Sequence, residues 1–407
     1  MVPESQIPIA SQQSAGRFAR PVALFYGALF GLLGSHLPFF PVWLRAVGID
    51  AAWIGVITAV PAVTRFTVLP FVTGLAEQRH AVRGALILAT FATAAGFAAV
   101  GSQHDALPVF LIYVATCCLW TPTVPLTDAY ALRGVVRYGL NYGRLRLWGS
   151  AAFVAGALAC GLLVDVIAAV HLIWVITGLA ALGAALSLTL QPLDNPRTAA
   201  TIVHGGATLL RETRFLAIIV SAALIQGSHA AYYTFASITW QLQGFGGLTI
   251  AALWALGVLA EIVVFALSPR FALHPAILVV IGALAAVTRW LVTAQEPPVA
   301  LLAVVQLAHG LTFGLTQVGT MGLMVRHVPV HVMARGQGYL AAASGIVSSS
   351  ASIISGAIYA RYGQGVYYVM ALMAMLGGTL MWLARHRLAD DHQPHRSASG
   401  GQTRLPS

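Results

Sequence analysis

Apolar residues fill twelve segments of this chain, each roughly 20 to 27 residues long, which at 1.5 Å per helical residue is enough to cross ~30 Å of hydrocarbon. The segments begin near Pro21, Ala51, Arg83, Leu107, Tyr142, Ala168, Arg214, Leu248, Pro275, Pro297, Arg335 and Gly363, with short polar connections between them. The pattern predicts an all-α membrane protein of twelve transmembrane helices in two six-helix bundles. One internal connection is long: it holds Pro192, Asp194, Pro196 and Arg197, then Gly205 and Gly206, and reads as a linker. The expected organisation is a tail over 1–20, a bundle over 21–190, a linker over 191–213, a second bundle over 214–384 and a tail over 385–407. Bundles of such similar length fit two parallel repeats with a site at the midplane between them. The termini, rich in Ser, Gln, Pro and His, read as disordered tails.

Composition agrees with a multispanning protein: 58% of residues are hydrophobic and 8% charged, where a soluble domain carries roughly 25% charged. Arginine, with no lysine, supplies all 22 cations, and the net charge of +10 could suggest nucleic acid. Their placement excludes that. With the connections taken alternately, one side holds most of the arginines, among them Arg79, Arg83, Arg133, Arg137, Arg326 and Arg335, and the other holds only Arg45 and Arg361. The positive-inside rule then puts both termini of this multi-pass chain in the cytoplasm. The first apolar run is too long for a signal-peptide core and lacks a small-residue cleavage site, so it is expected to stay in the membrane. Cys117, Cys118 and Cys160 fall inside spans without metal-ligand spacing and read as packing residues.

Five ionisable side chains interrupt the apolar segments: Arg65, Asp128, Arg146, Glu261 and Arg289. A charge at membrane depth costs at least ~2.5 to 3.5 kcal/mol, so such residues persist mainly where they face a polar cavity on a substrate or proton path. Enzyme motifs are missing: there is no H-E-x-x-H, no G-x-S-x-G and no lysine for a phosphate loop. GQGYLA at 336–341 fits a loose dinucleotide pattern but precedes a span rather than following a strand. His386, His392 and His395 read as part of a solvated tail rather than as a metal site, and no cofactor is implied.

The sequences PFFPVWL at 38–44 and GLAEQRHAVR at 74–83 resemble the major facilitator superfamily, the second as a degraded copy of its G-x-L-a-D-R-x-G-R/K signature with Glu77 for Asp and Ala81 for Gly. VPLTDAY at 124–130, YGRLRLWGSAAF at 142–153, IQGSHAAYYTF at 225–235, LGVLAEIVVFALS at 256–268, VTRW at 287–290 and VQLAHG at 305–310 resemble the 3-phenylpropionate transporter branch, which is related to the lactose permease. The resemblance implies proton-coupled uptake of a small molecule across the bacterial inner membrane.

It also implies roles. Asp128 and Arg146, 18 residues apart across a short turn, match the permease's sugar-binding Glu and Arg, and Phe153 matches a Trp that stacks on substrate. A planar guanidinium suits a carboxylate and an aromatic face suits a phenyl ring; a purely structural Asp128–Arg146 pair is the alternative. Glu261, Arg289 and His309 match charged positions of the permease's eighth, ninth and tenth helices. Thr312 stands where the permease has a second Glu, which leaves Glu261 or Asp128 as the expected proton carrier, Glu261 switching as its arginine partner changes. His36, His229, Gln226 and Gln306 are candidate cavity residues or interhelical hydrogen-bonding groups. Arg65 either binds substrate or caps helix carbonyls. Ser348–Ser352 suggests close helix contact. Three buried arginines against two acids leave an excess that suits a monoanion, so the expected substrate is a small aromatic carboxylate carried with protons. A proton symporter for a sugar or nucleoside and a non-transporting receptor are the alternatives. A monomer in the lipid bilayer without nucleic-acid partners is expected.

Overall fold

A computed structural model describes residues 9–79, 81–193, 206–329 and 332–389, and every regular element among them is helical. The first half holds α1 (Ile9–Ala46), α2 (Ala51–Gln78), α3 (Val82–Gly101), α4 (Ala106–Trp120), α5 (Thr123–Tyr138), α6 (Tyr142–Val164) and α7 (Leu172–Ser187). The second holds α8 (Thr213–Gly227), α9 (Ala230–Leu242), α10 (Gly247–Leu267), α11 (Pro275–Thr293), α12 (Val299–Leu307), a π-helical turn Gly310–Leu315, α13 (Thr316–His327), α14 (Met333–Tyr362) and α15 (Val366–Ala389). Asp194, Pro196, Arg197, Gly205, His392, His395, Arg396 and Arg404, named or counted above in the linker and tail, lie outside the described residues.

Eleven continuous stretches are long and apolar enough to cross a membrane. The last, Arg335–Ala389, has 55 residues, about 80 Å of helix, and reverses at Gly363. That residue takes φ 51°, a left-handed conformation that glycine adopts without strain. Gly336 near the start of α14 lies against Phe215, and Arg387 near the end of α15 lines the same surface as Thr213, so the two helices run antiparallel along α8. The crossings therefore number twelve.

Three of the crossings are broken. The fourth splits into α4 and α5 at Pro122, which has no N–H to continue the ladder, and Thr123 Oγ1 donates to the carbonyl of Trp120 at 2.7 Å. The seventh splits into α8 and α9 at Ser228 and His229; Trp290 Nε1 donates to Ser228 Oγ at 3.0 Å. The tenth passes from α12 through His309 into the π turn and α13. Irregular backbone at membrane depth is tolerated where other parts of the protein satisfy it, and π turns concentrate at functional sites.

The ends of the chain are more ordered than the tail expectation. Helix α1 already runs from Ile9, because Phe18 is buried and packs on the rings of Tyr130 and Tyr138 at 5.4 and 5.3 Å. Helix α15 continues to Ala389, with Leu388 buried. In the expected linker, Gly206–Arg211 form a 3-10 turn.

Within the first half α1 packs on α6 and α7, and α3 on α4 and α7; within the second α8 packs on α14 and α15, and α11 on α15 and α13. The halves meet through α2 against α14 and α6 against α10. In crossing number these are the second with the eleventh and the fifth with the eighth. Moving each partner by six crossings turns one contact into the other, the relation expected of two repeats about a twofold axis.

Both contacts close at the arginine-poor end, where Arg45 and Arg361 lie. A Cβ on Gly161 would fall 2.6 Å from the carbonyl of Gly247, and one on Gly55 2.6 Å from that of Ser352, so neither seam has room for a side chain. Asp165, following α6, accepts backbone N–H bonds from Gly247 at 2.6 Å and Leu248 at 3.3 Å at the start of α10. This places a carboxylate at a helix N-terminus, where the dipole favours it. On the other seam Thr58, Thr234 and Ser352 join their hydroxyls at 3.0 to 3.1 Å, so the serine run does serve close helix contact. With this end sealed, the gap between the halves opens toward the arginine-rich side.

Candidate substrate and proton site

The first polar cluster lies on the first half. Tyr142 begins α6 one turn after Gly139 ends α5 in a left-handed conformation, and this tight reversal sets Asp128 beside Arg146. Asp128 Oδ1 accepts hydrogen bonds from Tyr26 at 2.6 Å and Tyr142 at 3.0 Å, while Arg146 Nε stands 3.8 Å away, beyond hydrogen-bond range. Each of the two charged side chains keeps 31% of its surface exposed. The Arg146 guanidinium instead lies 4.0 Å over the ring of Phe30, with Tyr26 at 5.8 Å. Gly149 makes room for it: a Cβ there would come 2.9 Å from Phe30 and 3.0 Å from Arg146 Nη1. The cation is thus oriented by stacking, and its Nη atoms are not held by Asp128.

Phe153 sits two turns along α6 from Arg146, where its backbone meets Gly34 of α1. Its side chain is buried to the same degree as that of Phe30, at 7% and 8% exposed, and the ring stacked on Arg146 is that of Phe30.

The second cluster lies on the second half around Arg289, which is 2% exposed. Its Nη1 donates to His309 Nδ1 at 2.9 Å and to Thr312 Oγ1 at 3.3 Å, its Nη2 donates to Gln306 Oε1 at 3.0 Å, and its Nε has no partner among the described residues. The guanidinium lies between the rings of Tyr232 at 4.6 Å and Trp290 at 4.5 Å. Because Arg289 can only donate, neutral His309 is assigned its proton on Nε2. That nitrogen faces Glu261 Oε2 at 3.8 Å.

The expected direct partnership of Glu261 with Arg289 therefore runs through His309. On the far side His229 Nδ1 lies 3.1 Å from the carbonyl of Ile225 and Nε2 lies 3.0 Å from Thr312 Oγ1. His229 Nδ1–H donates to Ile225, Arg289 donates to Thr312, and the single Thr312 hydroxyl proton is shared between His229 Nε2 and the carbonyl of His309 at 3.2 Å. Thr312 thus joins His229 to Arg289 where the permease pattern has a carboxylate.

Arg65 on α2 is exposed, and it lies within electrostatic reach of Tyr233 on α9, which also feels Glu261 and Arg289. Tyr233 is half-buried, with its ring stacked on Trp254 and edge-on to His309. His36 is a packing residue: it is buried, pairs with Tyr113 OH at 3.0 Å and stacks on Phe40 at 4.6 Å. Gln226 is half-buried, with an unpartnered Oε1. Sequence reasoning missed Tyr26, Phe30 and Tyr233, which read as ordinary apolar-face aromatics. The i, i+4 spacing of Tyr26 and Phe30 beside the glycine stripe of α1 was the available signal.

Twelve crossings in two pseudo-repeated halves, with ionisable clusters facing a one-sided gap, define a membrane transporter of the major facilitator type rather than an enzyme. The chain belongs to the MFS_1 like family, which matches residues 20–370. It is 33% identical over 367 residues to the "Probable 3-phenylpropionic acid transporter" of Escherichia coli (strain K12), covering 88% of this chain and 95% of the relative. It is 27% identical to the maltose permease of Geobacillus stearothermophilus over 88% of this chain and 92% of that one. In fold it is similar to the crystal structure of the nucleoside transporter NupG, with a TM-score of 0.81 at 15% identity over 90% of this chain and 98% of that one.

Proposed function

We propose that this transporter takes up a small aromatic carboxylate, of the class of 3-phenylpropionate, together with protons, across a bacterial inner membrane with both termini cytoplasmic. The observation that carries the reading is Arg146: a cation in the open gap, stacked on Phe30, with its only acid held elsewhere by two tyrosines. A carboxylate takes the unfilled Nη edge in the bidentate manner that guanidinium favours. Arg65 adds a second positive charge on the same half, and Tyr233 offers an aromatic wall from the opposite half. The name of the 33% identical relative agrees with this substrate class.

Proton coupling is assigned to Glu261 and His309. A carboxyl near apolar walls holds a proton more readily than one facing a cation, and Glu261 has only the neutral, Nε2-protonated edge of His309 in front of it. Protonation of His309 would require Nδ1 to give up the Arg289 bond, which couples proton loading to the position of Arg289. Residues 21–190 and 214–384 are read as the two moving bundles of a monomer.

A proton symporter for a sugar is the second reading, favoured by the Asp128 carboxylate in the open gap, an acceptor for hydroxyls, and by the maltose permease relative. The discriminating experiment is uptake of labelled 3-phenylpropionate into proteoliposomes under an imposed pH gradient. Competition by the acid but not by its amide or by maltose is expected. Uptake driven by maltose, or equal competition by the amide, would replace the first reading with the second.

A further inference from the structure

A groove of about 1410 Å³ lies outside the gap, on the outer face of the first half between α1, α6 and α7. Its floor is made of small residues, including Ala23, Gly27 and Ala152, and its walls of Leu24, Trp148 and Leu182. Both Leu24 and Trp148 are exposed, Trp148 by 62%. At its arginine-rich mouth stand Arg20 of α1 and Arg144 of α6, both exposed, with no hydrogen bond or ion pair to their guanidinium groups among the described residues. From Arg144 to Ala155 the groove follows α6 for about 16 Å, a little over half the hydrocarbon thickness of a bilayer.

The second half carries the counterpart. A smaller groove between α8 and α15 is lined by Arg214, Ala217, Leu380 and Arg387. Arg214 and Ala217 stand 194 positions after Arg20 and Ala23, and Leu380 stands 194 after Leu186, which lines the larger groove. The same arginine thus recurs at the same place in each repeat, at the mouth of a groove that faces lipid.

We propose that the larger groove holds one anionic phospholipid of the leaflet on the arginine-rich side, its phosphate between Arg20 and Arg144 and one acyl chain along Leu24, Trp148 and Leu182. Charge complementarity selects the occupant. Two unpaired guanidiniums at headgroup depth above an apolar slot fit a phosphate joined to a hydrocarbon chain, and basic pockets between transmembrane helices on the cytoplasmic side recognise anionic headgroups. A zwitterionic lipid would bring its own cation to the same mouth. The orientation proposed above makes this the cytoplasmic leaflet, but binding itself depends on neither the orientation nor the substrate.

The test is native mass spectrometry of delipidated protein titrated with phosphatidylglycerol or phosphatidylethanolamine. At about fivefold per arginine near the surface, Arg20→Gln with Arg144→Gln should weaken the tightest phosphatidylglycerol about 25-fold and leave phosphatidylethanolamine unchanged. Equal retention of the two lipids by the unmodified chain, or undiminished phosphatidylglycerol binding by the double variant, overturns the proposal. A second measurement needs no arginine variant: brominated phosphatidylglycerol should quench the fluorescence lost in Trp148→Phe more than brominated phosphatidylcholine does. Equal quenching by the two lipids also overturns it. Arg214→Gln with Arg387→Gln should leave that quenching as it is, and its loss in this pair would move the site to the other half.

Discussion

The two seams at the arginine-poor end are the contacts that any reorientation of the halves must break, and Gly161→Leu perturbs one of them at a known distance. A Cβ at this position would sit 2.6 Å from the Gly247 carbonyl and 2.7 Å from Ala251 Cβ, where carbon contacts settle near ~3.5 to 4.0 Å. Relief requires α6 and α10 to part by about 1 Å, and overpacking of this kind costs ~1 to 3 kcal/mol. The cost falls on the closed conformation alone, so the ratio of open to closed states should rise by about 5- to 150-fold. Ser355 on α14, next to the Gly356 that meets Ala51 and Gly55 of α2, reports the other seam. It is fully buried and its Oγ has no hydrogen-bond partner among the described residues, so Ser355→Cys is a mild change. In a chain with Cys117, Cys118 and Cys160 replaced, a membrane-impermeant maleimide added from the arginine-poor side should label Ser355→Cys faster when Gly161→Leu is present. Faster labelling at Ser355→Cys requires the halves to move as rigid bodies, since the mutation touches only the α6–α10 seam. If the rate is unchanged while a cysteine beside Gly161 becomes reactive, the seams open independently and the rigid-body account fails.

Arg146→Lys keeps the charge but loses the fork and the stacking, and should weaken binding of 3-phenylpropionate about tenfold or more in equilibrium dialysis; unchanged affinity would remove Arg146 from the site. Phe30→Leu should weaken the same binding about fivefold by removing the ring stacked on Arg146, and unchanged affinity would remove Phe30 from the site. Glu261→Gln should abolish accumulation against a gradient while retaining exchange, and full pH-driven accumulation would shift proton carriage to Asp128. Reporter fusions after Arg211 should read cytoplasmic and fusions within Gly244–Leu248 periplasmic; the opposite assignment would invert the proposed orientation.

The crossings were legible because bilayer thickness fixes the length of an apolar helix; the break at Pro122 went unread although proline removes a donor. The Asp128–Arg146 neighbourhood was legible too, since a short turn between two helices leaves little freedom in where they face. Phe30 went unread for a reason no single helix contains: it lies on α1, and only the packing of α1 against α6 brings its ring over Arg146. The detour of Glu261 through His309 was equally hidden. It depends on how α10, α11 and the tenth crossing set Glu261, Arg289 and His309 against one another, which the pattern of no single helix shows.

The two clusters differ in exposure, and that difference bears on why anion and proton should travel together. On the first half Arg65 and Arg146 against Asp128 leave an excess of one positive charge, while on the second half the buried Arg289 and an ionised Glu261 balance. On the proposed reading, a proton on Glu261 without substrate raises the total excess to two. An uncompensated charge at membrane depth costs at least ~2.5 to 3.5 kcal/mol. A carboxylate on Arg146 lowers the excess to zero, and the proton then restores the value of the empty protein. Proton loading is therefore least costly once the anion is bound, which suppresses leak of protons through the unloaded carrier. A neutral sugar offers no such compensation, so on the proposed reading the surplus arginine fits an anion carrier better than a carrier of neutral solutes.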